Sequence, residues 1–334
     1  MKLRVRVRRG RTTETVYPPD VVHALNSIAI VGAGALGGYY GGRLAQHGFG
    51  VHMLLRSDFD HVREHGLNVR SVSGDFSLTP QQLHVYNDPA AMPKVDLVVV
   101  TLKSTENHQF ERLITPLLHE ETAILTLQNG LGNEDDLARL FGARRVLGGI
   151  AFVCINRTAP GELHHTEPGF IRLGEFAGDV GRSARAERIV EIFNASNVRA
   201  HVIDGPVRGA RWAKLVWNVP FNGLGALLDA TTDQLLASDD GTQLVRAVMN
   251  EVIAAAAADG IALPADMPDQ QITATRGMGA YRTSTQVDRQ TGRAMEVAAI
   301  FTRAWEVARR GNVPAPLLHL LHVSLTHLNR ASKR

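Results

Sequence analysis

Residues 28–37 read Ile-Ala-Ile-Val-Gly-Ala-Gly-Ala-Leu-Gly, and the rest of the chain is organised around them. The β-branched run at 28–31 predicts a short buried strand. Glycines at 32, 34 and 37 follow as a G-x-G-x-x-G turn, and a helical pattern from Tyr39 to Gln46 is closed by Gly48. In a strand–turn–helix setting each glycine has a physical task. Gly32 permits the tight turn, Gly34 lets backbone approach a pyrophosphate, and Gly37 lets the helix pack closely on the strand. Free N–H groups at the helix start favour phosphate charge. Gly32, Ala33, Gly34, Ala35, Leu36 and Gly37 are therefore the candidate dinucleotide-binding loop.

Working outward, a second strand at 51–55 ends in Leu55-Arg56-Ser57. An NAD site usually carries Asp or Glu near this point, to accept from the ribose 2′-hydroxyl. Arg56 instead offers a planar fork of donors to a 2′-phosphate, and Ser57 adds a hydroxyl, so the sequence predicts NADP (NADPH). Asp58 is the nearest acid, one small loop shift from the ribose. Further strands are expected at 68–72, 84–86, 97–101, 123–127 and 146–153, with helices at 107–118 and 134–141. Strands alternating with helices predict an α/β fold with a mainly parallel sheet covered on both faces.

The texture changes at Asp204-Gly205-Pro206. Beyond it the patterns are helical, at 211–228, 242–258, 294–310 and 315–329. Three parts are expected. Residues 1–26 form an extension that is disordered or loosely attached. Residues 27–205 form an NADP-binding Rossmann-type domain, and residues 206–330 an all-helical domain for substrate and catalysis.

Composition narrows the function classes. The 334 residues are 44% hydrophobic and 21% charged, a globular mix that excludes a mainly disordered chain. No apolar run reaches the ~18 residues of a membrane span. The one cysteine, Cys154, excludes an intrachain disulfide or a cysteine-built zinc site and fits a reducing, cytoplasmic compartment. Residues 1–26 hold six basic and two acidic groups of a chain whose net charge is +3. The remainder is near neutral, so no nucleic-acid partner is expected. The leader lacks the apolar core of a secretory signal. A transit peptide, an added N-terminal stretch and a stray edge strand at 1–9 are its open readings. Adjacent His164 and His165 point opposite ways in a strand, and His319 and His322 have no accompanying acids, so no metal site is expected.

The helical half carries a second constellation. Lys214, Asn218 and Asn222 are spaced i, i+4, i+8. On a helix they share one face that drifts about 40° per step. A lysine can stabilise negative charge on a ketone oxygen and deliver a proton, provided burial or a cation such as Arg211 lowers its pKa. Two amides on the same wall can grip a hydroxyl. Pro220 lies inside this helix and is expected to kink it. If Ser284 and Glu296 serve one small site, a straight helix between them is excluded, since it would set them ~18 Å apart along the axis. Residues 284–290 are therefore expected to be partly loop, with a helix starting near 289–293. The bland readings are an N-cap for Ser284 and a surface pair for Glu296.

Taken in order, Gly32 to Gly37, Leu55-Arg56, Thr101-Leu102-Lys103, Gln128-Asn129-Gly130-Leu131-Gly132, Arg211 to Asn222, and Ser284 with Asp288, Gly292, Arg293 and Glu296 resemble the ketopantoate reductase family over about residues 27–325. The resemblance implies a Rossmann-type domain joined to a helical one, with the active site between them. It also implies NADPH-dependent reduction of 2-ketopantoate to pantoate, in pantothenate and coenzyme A synthesis. Residue by residue, it implies cofactor contacts from the glycine loop, Arg56, Lys103, Asn129, Cys154 and Glu296. Substrate contacts fall to Asn129, Lys214, Asn218, Asn222 and Ser284, and catalysis to Lys214, the general acid, and Glu296. Three positions depart from the family pattern: Glu106 where glutamine is common, Gly223 where proline is frequent, and Thr232-Asp233 in place of an Asn-Gly element. They leave open a paralogue acting on another 2-keto acid. A different two-domain dehydrogenase and a non-catalytic NADP sensor are the remaining alternatives. The apolar last helix fits either a homodimer contact or burial within its own domain.

Overall fold

The computed structural model describes residues 25–331. The expected edge strand at 1–9 and nearly all of the 1–26 extension lie outside the described residues. The first half contains β1 (Ser27–Val31), β2 (Gly50–Leu54), β3 (Leu67–Ser71), β4 (Phe76–Leu78), β5 (His84–Tyr86), β6 (Leu97–Val100), β7 (Ala123–Thr126), β8 (Val146–Ala159), β9 (Glu162–Glu175) and β10 (Ala200–Val202). These strands form one sheet in the order β4-β3-β9-β8-β7-β6-β1-β2-β5, with β10 beside β9. The central pairs β2–β1, β1–β6, β6–β7 and β7–β8 are parallel. The long hairpin β8–β9 and the pair β3–β4 are antiparallel.

β1 shows why the sheet must be covered on both sides. Its residues Ile28 to Val31 are all fully buried, as parallel strands require. Ile28 and Ile30 face one core with α1 (Ala35–Gln46) and α5 (Ala184–Ala195), α2 (Phe59–His65) lying at its margin. Ala29 and Val31 face the other, with α3 (Phe110–Ile114) and α4 (Asn133–Phe141).

Past β10 the described chain is helical: α6 (Val207–Leu228), α7 (Thr232–Leu235), α8 (Asp239–Ala258), α9 (Met267–Arg276), α10 (Ser284–Gln290), α11 (Arg303–Arg310) and α12 (Pro316–Ala331). They enclose a second core that includes Trp212, Phe221, Val248, Ile300 and Leu321. A π-helical turn, Ala298–Thr302, leads into α11. α6 runs as a single assigned helix through Pro220, so the expected kink does not divide it.

Two expectations are corrected. Residues 284–290 are not partly loop: α10 occupies them, and the break comes after them. Gly292, at φ 67°, turns the chain in the left-handed region that glycine adopts without a Cβ penalty. Residues 293–296 then run without helix to the π-helical turn. Ser284 is the first residue of α10 rather than its cap, which is Thr283. The break between Ser284 and Glu296 therefore lies after 290 rather than within 284–290.

Candidate active site

The expected dinucleotide residues collect at the carboxyl edge of the parallel strands, where open α/β sheets bind ligands. The glycine turn follows β1, Arg56 follows β2, Lys103 follows β6 and Asn129 follows β7. The three glycines separate by task. A Cβ at Gly32 would lie 2.8 Å from the Leu102 backbone nitrogen, and Gly32 has φ 94°. A Cβ at Gly37 would overlap Thr101 Oγ1 and reach Gly32 O at 2.8 Å. Gly34 is open, its nearest neighbour being Gly32 O at 4.0 Å. The turn is therefore tight where the fold needs it and bare where a pyrophosphate would approach, so these residues fit a dinucleotide.

At the end of β2, the Arg56 side chain is 88% exposed and stands 3.8 Å from Glu106. Asp58 is buried and turned inward. It accepts from Ser57 Oγ at 2.8 Å and from the Arg157 guanidinium. Its carboxylate is thus engaged by Ser57 and Arg157.

Lys214 lies on α6, partly buried, under the edge of the sheet. Its Nζ donates to Asn129 Oδ1 at 2.8 Å and to Ala151 O at 2.6 Å, and lies 5.1 Å from the Phe152 ring centre. Burial pulls the ammonium pKa down to about 7. The nearby Arg211 guanidinium adds to this and the Glu296 carboxylate opposes it. Arg211 is itself buried. It pairs with Glu134 and donates to Gln128 O, fixing α6 against the sheet's edge.

One and two turns along the same face stand Asn218 and Asn222, both buried. Asn222 Oδ1 accepts from Ser284 Oγ and from Thr285 N, each at 3.2 Å, leaving its amide N–H groups unspent. Asn218 makes no side-chain hydrogen bond to any described residue. Glu296 accepts from Ser104 N at 2.8 Å and Ser104 Oγ at 2.9 Å. Burial raises its carboxyl pKa, which the Ser104 bonds and Lys103 restrain. Lys103 Nζ lies 2.5 Å from Asp288 Oδ2. Cys154 is half-buried on β8, its thiol pKa pushed up by burial and its sulfur hydrogen-bonded to the Tyr281 hydroxyl.

The structure thus joins Lys214 to Asn129, Asn222 to Ser284, Glu296 to Ser104 and Lys103 to Asp288, with Asn218 between Lys214 and Asn222 on α6 and Arg56 beyond the end of β2. Sequence reasoning left out Ser104, the Arg211–Glu134 pair, Tyr281 and Arg157. Only Ser104 carried a local signal, its place next to Lys103. The others reach the site across 77 or more residues of chain, and no spacing rule reports that. Among the described residues, no group of three or more His, Cys, Asp or Glu could hold a metal ion, and no helix is long and apolar enough to cross a membrane.

Two family models match this chain. One, described as ketopantoate reductase PanE/ApbA, covers residues 28–178, and its C-terminal counterpart covers 206–329. A 2-dehydropantoate 2-reductase from Nostoc sp. is 39% identical over 304 residues, 90% of this chain and 94% of that protein. The crystal structure of 2-dehydropantoate 2-reductase from Geobacter metallireducens GS-15 superposes with a TM-score of 0.86 at 45% identity, covering 90% of this chain and 99% of that one. A ternary structure of D-mandelate dehydrogenase with NADH and anilino(oxo)acetate superposes with a TM-score of 0.84 over 92% of this chain and 99% of that one. Its 22% identity makes that a likeness of fold alone.

Proposed function

The chain belongs to the ketopantoate reductase family, and from that membership we propose that it reduces 2-dehydropantoate to pantoate with NADPH. In this reading residues 27–205 bind the cofactor through the 32–37 loop, Arg56, Lys103, Asn129, Cys154 and Glu296. Residues 206–330 supply most of the substrate wall. Bound NADPH would supply the hydride to the ketone carbon. Lys214 meets the negative charge developing on the ketone oxygen and passes it the proton held at Nζ. Asn129 and the Ala151 carbonyl hold that ammonium in place. Asn218 and Asn222 bind the substrate hydroxyl, Ser284 contacts the carboxylate, and Glu296 orients Lys214 and the cofactor. The product would enter pantothenate and coenzyme A synthesis in the cytoplasm.

The observation that carries the reading is the Lys214 ammonium, fixed by two acceptors at the domain junction with a pKa of about 7. An acid so placed gives up its proton readily near neutral pH. The test is a panel of 2-keto acids followed by NADPH oxidation, in the parent chain and in Lys214→Ala. We expect 2-dehydropantoate to be the best substrate and the variant to lose about 10²–10⁴-fold in kcat. An unchanged kcat would remove the lysine from the chemistry, and cofactor binding without turnover on any keto acid would favour a sensor.

One observation favours the paralogue reading as runner-up. Thr232 is fully buried, its hydroxyl donating to Gly279 O at 2.7 Å, so it does not offer the amide that the family's Asn-Gly element has at this position. Phe152, 37% exposed beside Lys214, presents an apolar face there. A 2-keto acid bulkier and less polar than 2-dehydropantoate would suit that face. For self-association, Leu320 and Val323 stand exposed on α12, three residues apart, while Leu318, Leu321 and Leu325 of the same helix are buried. That supports a homodimer contact on the outer face of this helix.

A further inference from the structure

We propose that Arg157, anchored on Ser57 and Asp58, is the second arm of a 2′-phosphate clamp and sets the preference for NADP over NAD; the inference rests on the cofactor reading given above. In the sheet, β8 is separated from β2 by β7, β6 and β1. The far end of β8 nevertheless comes back to β2, because the β8–β9 hairpin carries register shifts near Cys154 and at Arg157 to Ala159 and packs along α1 and α2. A Cβ at Gly38 would lie 2.9 Å from Leu163, and one at Gly161 would lie 2.8 Å from His61. This return delivers Arg157 to the loop that follows Arg56. Its Nη1 donates to Ser57 Oγ at 2.9 Å and to Asp58 Oδ1.

Two consequences follow. Asp58, the acid nearest to where a ribose diol would be bound, is consumed as the partner of Arg157, with its side chain only 8% exposed. Arg157 engages through Nη1 alone among the described residues, so Nε and Nη2 keep their N–H groups, and its side chain is 41% exposed. A 2′-phosphate carries a charge of about −1.5 to −2 at neutral pH. Arg56 supplies one positive charge and already faces Glu106 at 3.8 Å. A second guanidinium, held on the adjacent Ser57 and Asp58, supplies a second positive charge and a second fork of donors.

Equilibrium binding tests this without turnover. The difference in Kd between 2′,5′-ADP and 5′-AMP, by titration calorimetry, isolates the 2′-phosphate. Arg157→Ala alone leaves the buried Asp58 carboxylate unpaired and could unfold the loop. The decisive variant is therefore Asp58→Asn with Arg157→Ala, whose unfolding midpoint is checked against the parent. We expect it to lose about 10- to 100-fold in affinity for 2′,5′-ADP while 5′-AMP binding stays within about threefold, and Asp58→Asn alone to keep the parent preference. If the double variant keeps the parent's discrimination, Arg157 is a structural tie only and the inference falls. If the parent itself binds 2′,5′-ADP no better than 5′-AMP, the NADP reading falls first and the clamp with it.

Discussion

Arg211 Nη2 lies 2.5 Å from Glu134 Oε1, with both side chains almost wholly buried where α6 meets α4. The same guanidinium donates to Gln128 O and Thr126 O at the end of β7. One residue of the helical half thereby donates to two backbone acceptors of the sheet half. The pair is expected to matter through the cost of breaking it. A charge left behind in that junction has no solvent to turn to, so Glu134→Gln should destabilise by about 3–5 kcal/mol. Urea unfolding would check it, and a loss below ~1 kcal/mol would mean that water or a rearranged side chain replaces the partner.

The pH profile of catalysis carries a second expectation, on the reading that Lys214 is the acid. Its pKa of about 7 leaves it protonated below neutrality, so ketone reduction should be level in acid and fall about tenfold per unit above that pKa. Oxidation of the product needs the free amine and should run the other way. Arg211 is part of what holds the pKa down. Arg211→Met should therefore move the break in the kcat profile to higher pH wherever the variant still folds. A break that stays in place would separate Arg211 from the electrostatics of the site.

How much of this was legible before the fold was known differs from residue to residue. The β1 turn was, because its task is local: three glycines within six residues of a strand end. The Lys214–Asn218–Asn222 face was too, because helical periodicity is a property of short segments. β9 was not. Pro168 and Gly169 interrupt its pattern, and it exists because a fourteen-residue partner, β8, pairs with it along its length. α9 and α10 were missed for a related reason, since their few apolar residues are buried by α6 and α8 rather than announced by a long stripe. Arg157 and the Arg211–Glu134 pair are products of tertiary return, which no local pattern encodes.

Ser104 gives a stability prediction with a definite sign. Burial raises the Glu296 pKa above its unfolded value, and two Ser104 hydrogen bonds restrain that rise. A carboxyl whose folded pKa is raised contributes its stability below the unfolded value, about 4.3, and loses it as pH climbs through the folded value. Ser104→Ala removes the hydroxyl bond to the charged form, so the pKa rises further and the loss deepens. The variant should be nearly neutral at pH 4 and cost about 1.5–3 kcal/mol at a pH above the folded value, where the carboxylate is ionised. Thermal unfolding at the two pH values distinguishes this from a plain packing defect, which would cost the same at both.

The glycine turn offers the sharpest separation between fold and ligand. Gly37→Ala places a methyl group against Thr101 Oγ1, Gly32 O and Ile30 Cγ2. Two of these belong to β1 and its turn and the third follows β6, so none can yield without moving the strands. That variant should unfold at lower denaturant or fail to accumulate. Gly34→Ala places its methyl in open space, 4.0 Å from the nearest atom, so its cost is confined to the backbone, whose φ −77° and ψ −146° lie just outside the extended region. It should fold, with a midpoint lowered far less than in Gly37→Ala. Its methyl would stand where the pyrophosphate must approach, so NADPH affinity, read by fluorescence titration, should drop by about tenfold or more. Equal loss of stability in both variants would show that Gly34 serves the turn alone, and undiminished NADPH binding in Gly34→Ala would place the pyrophosphate somewhere other than this loop.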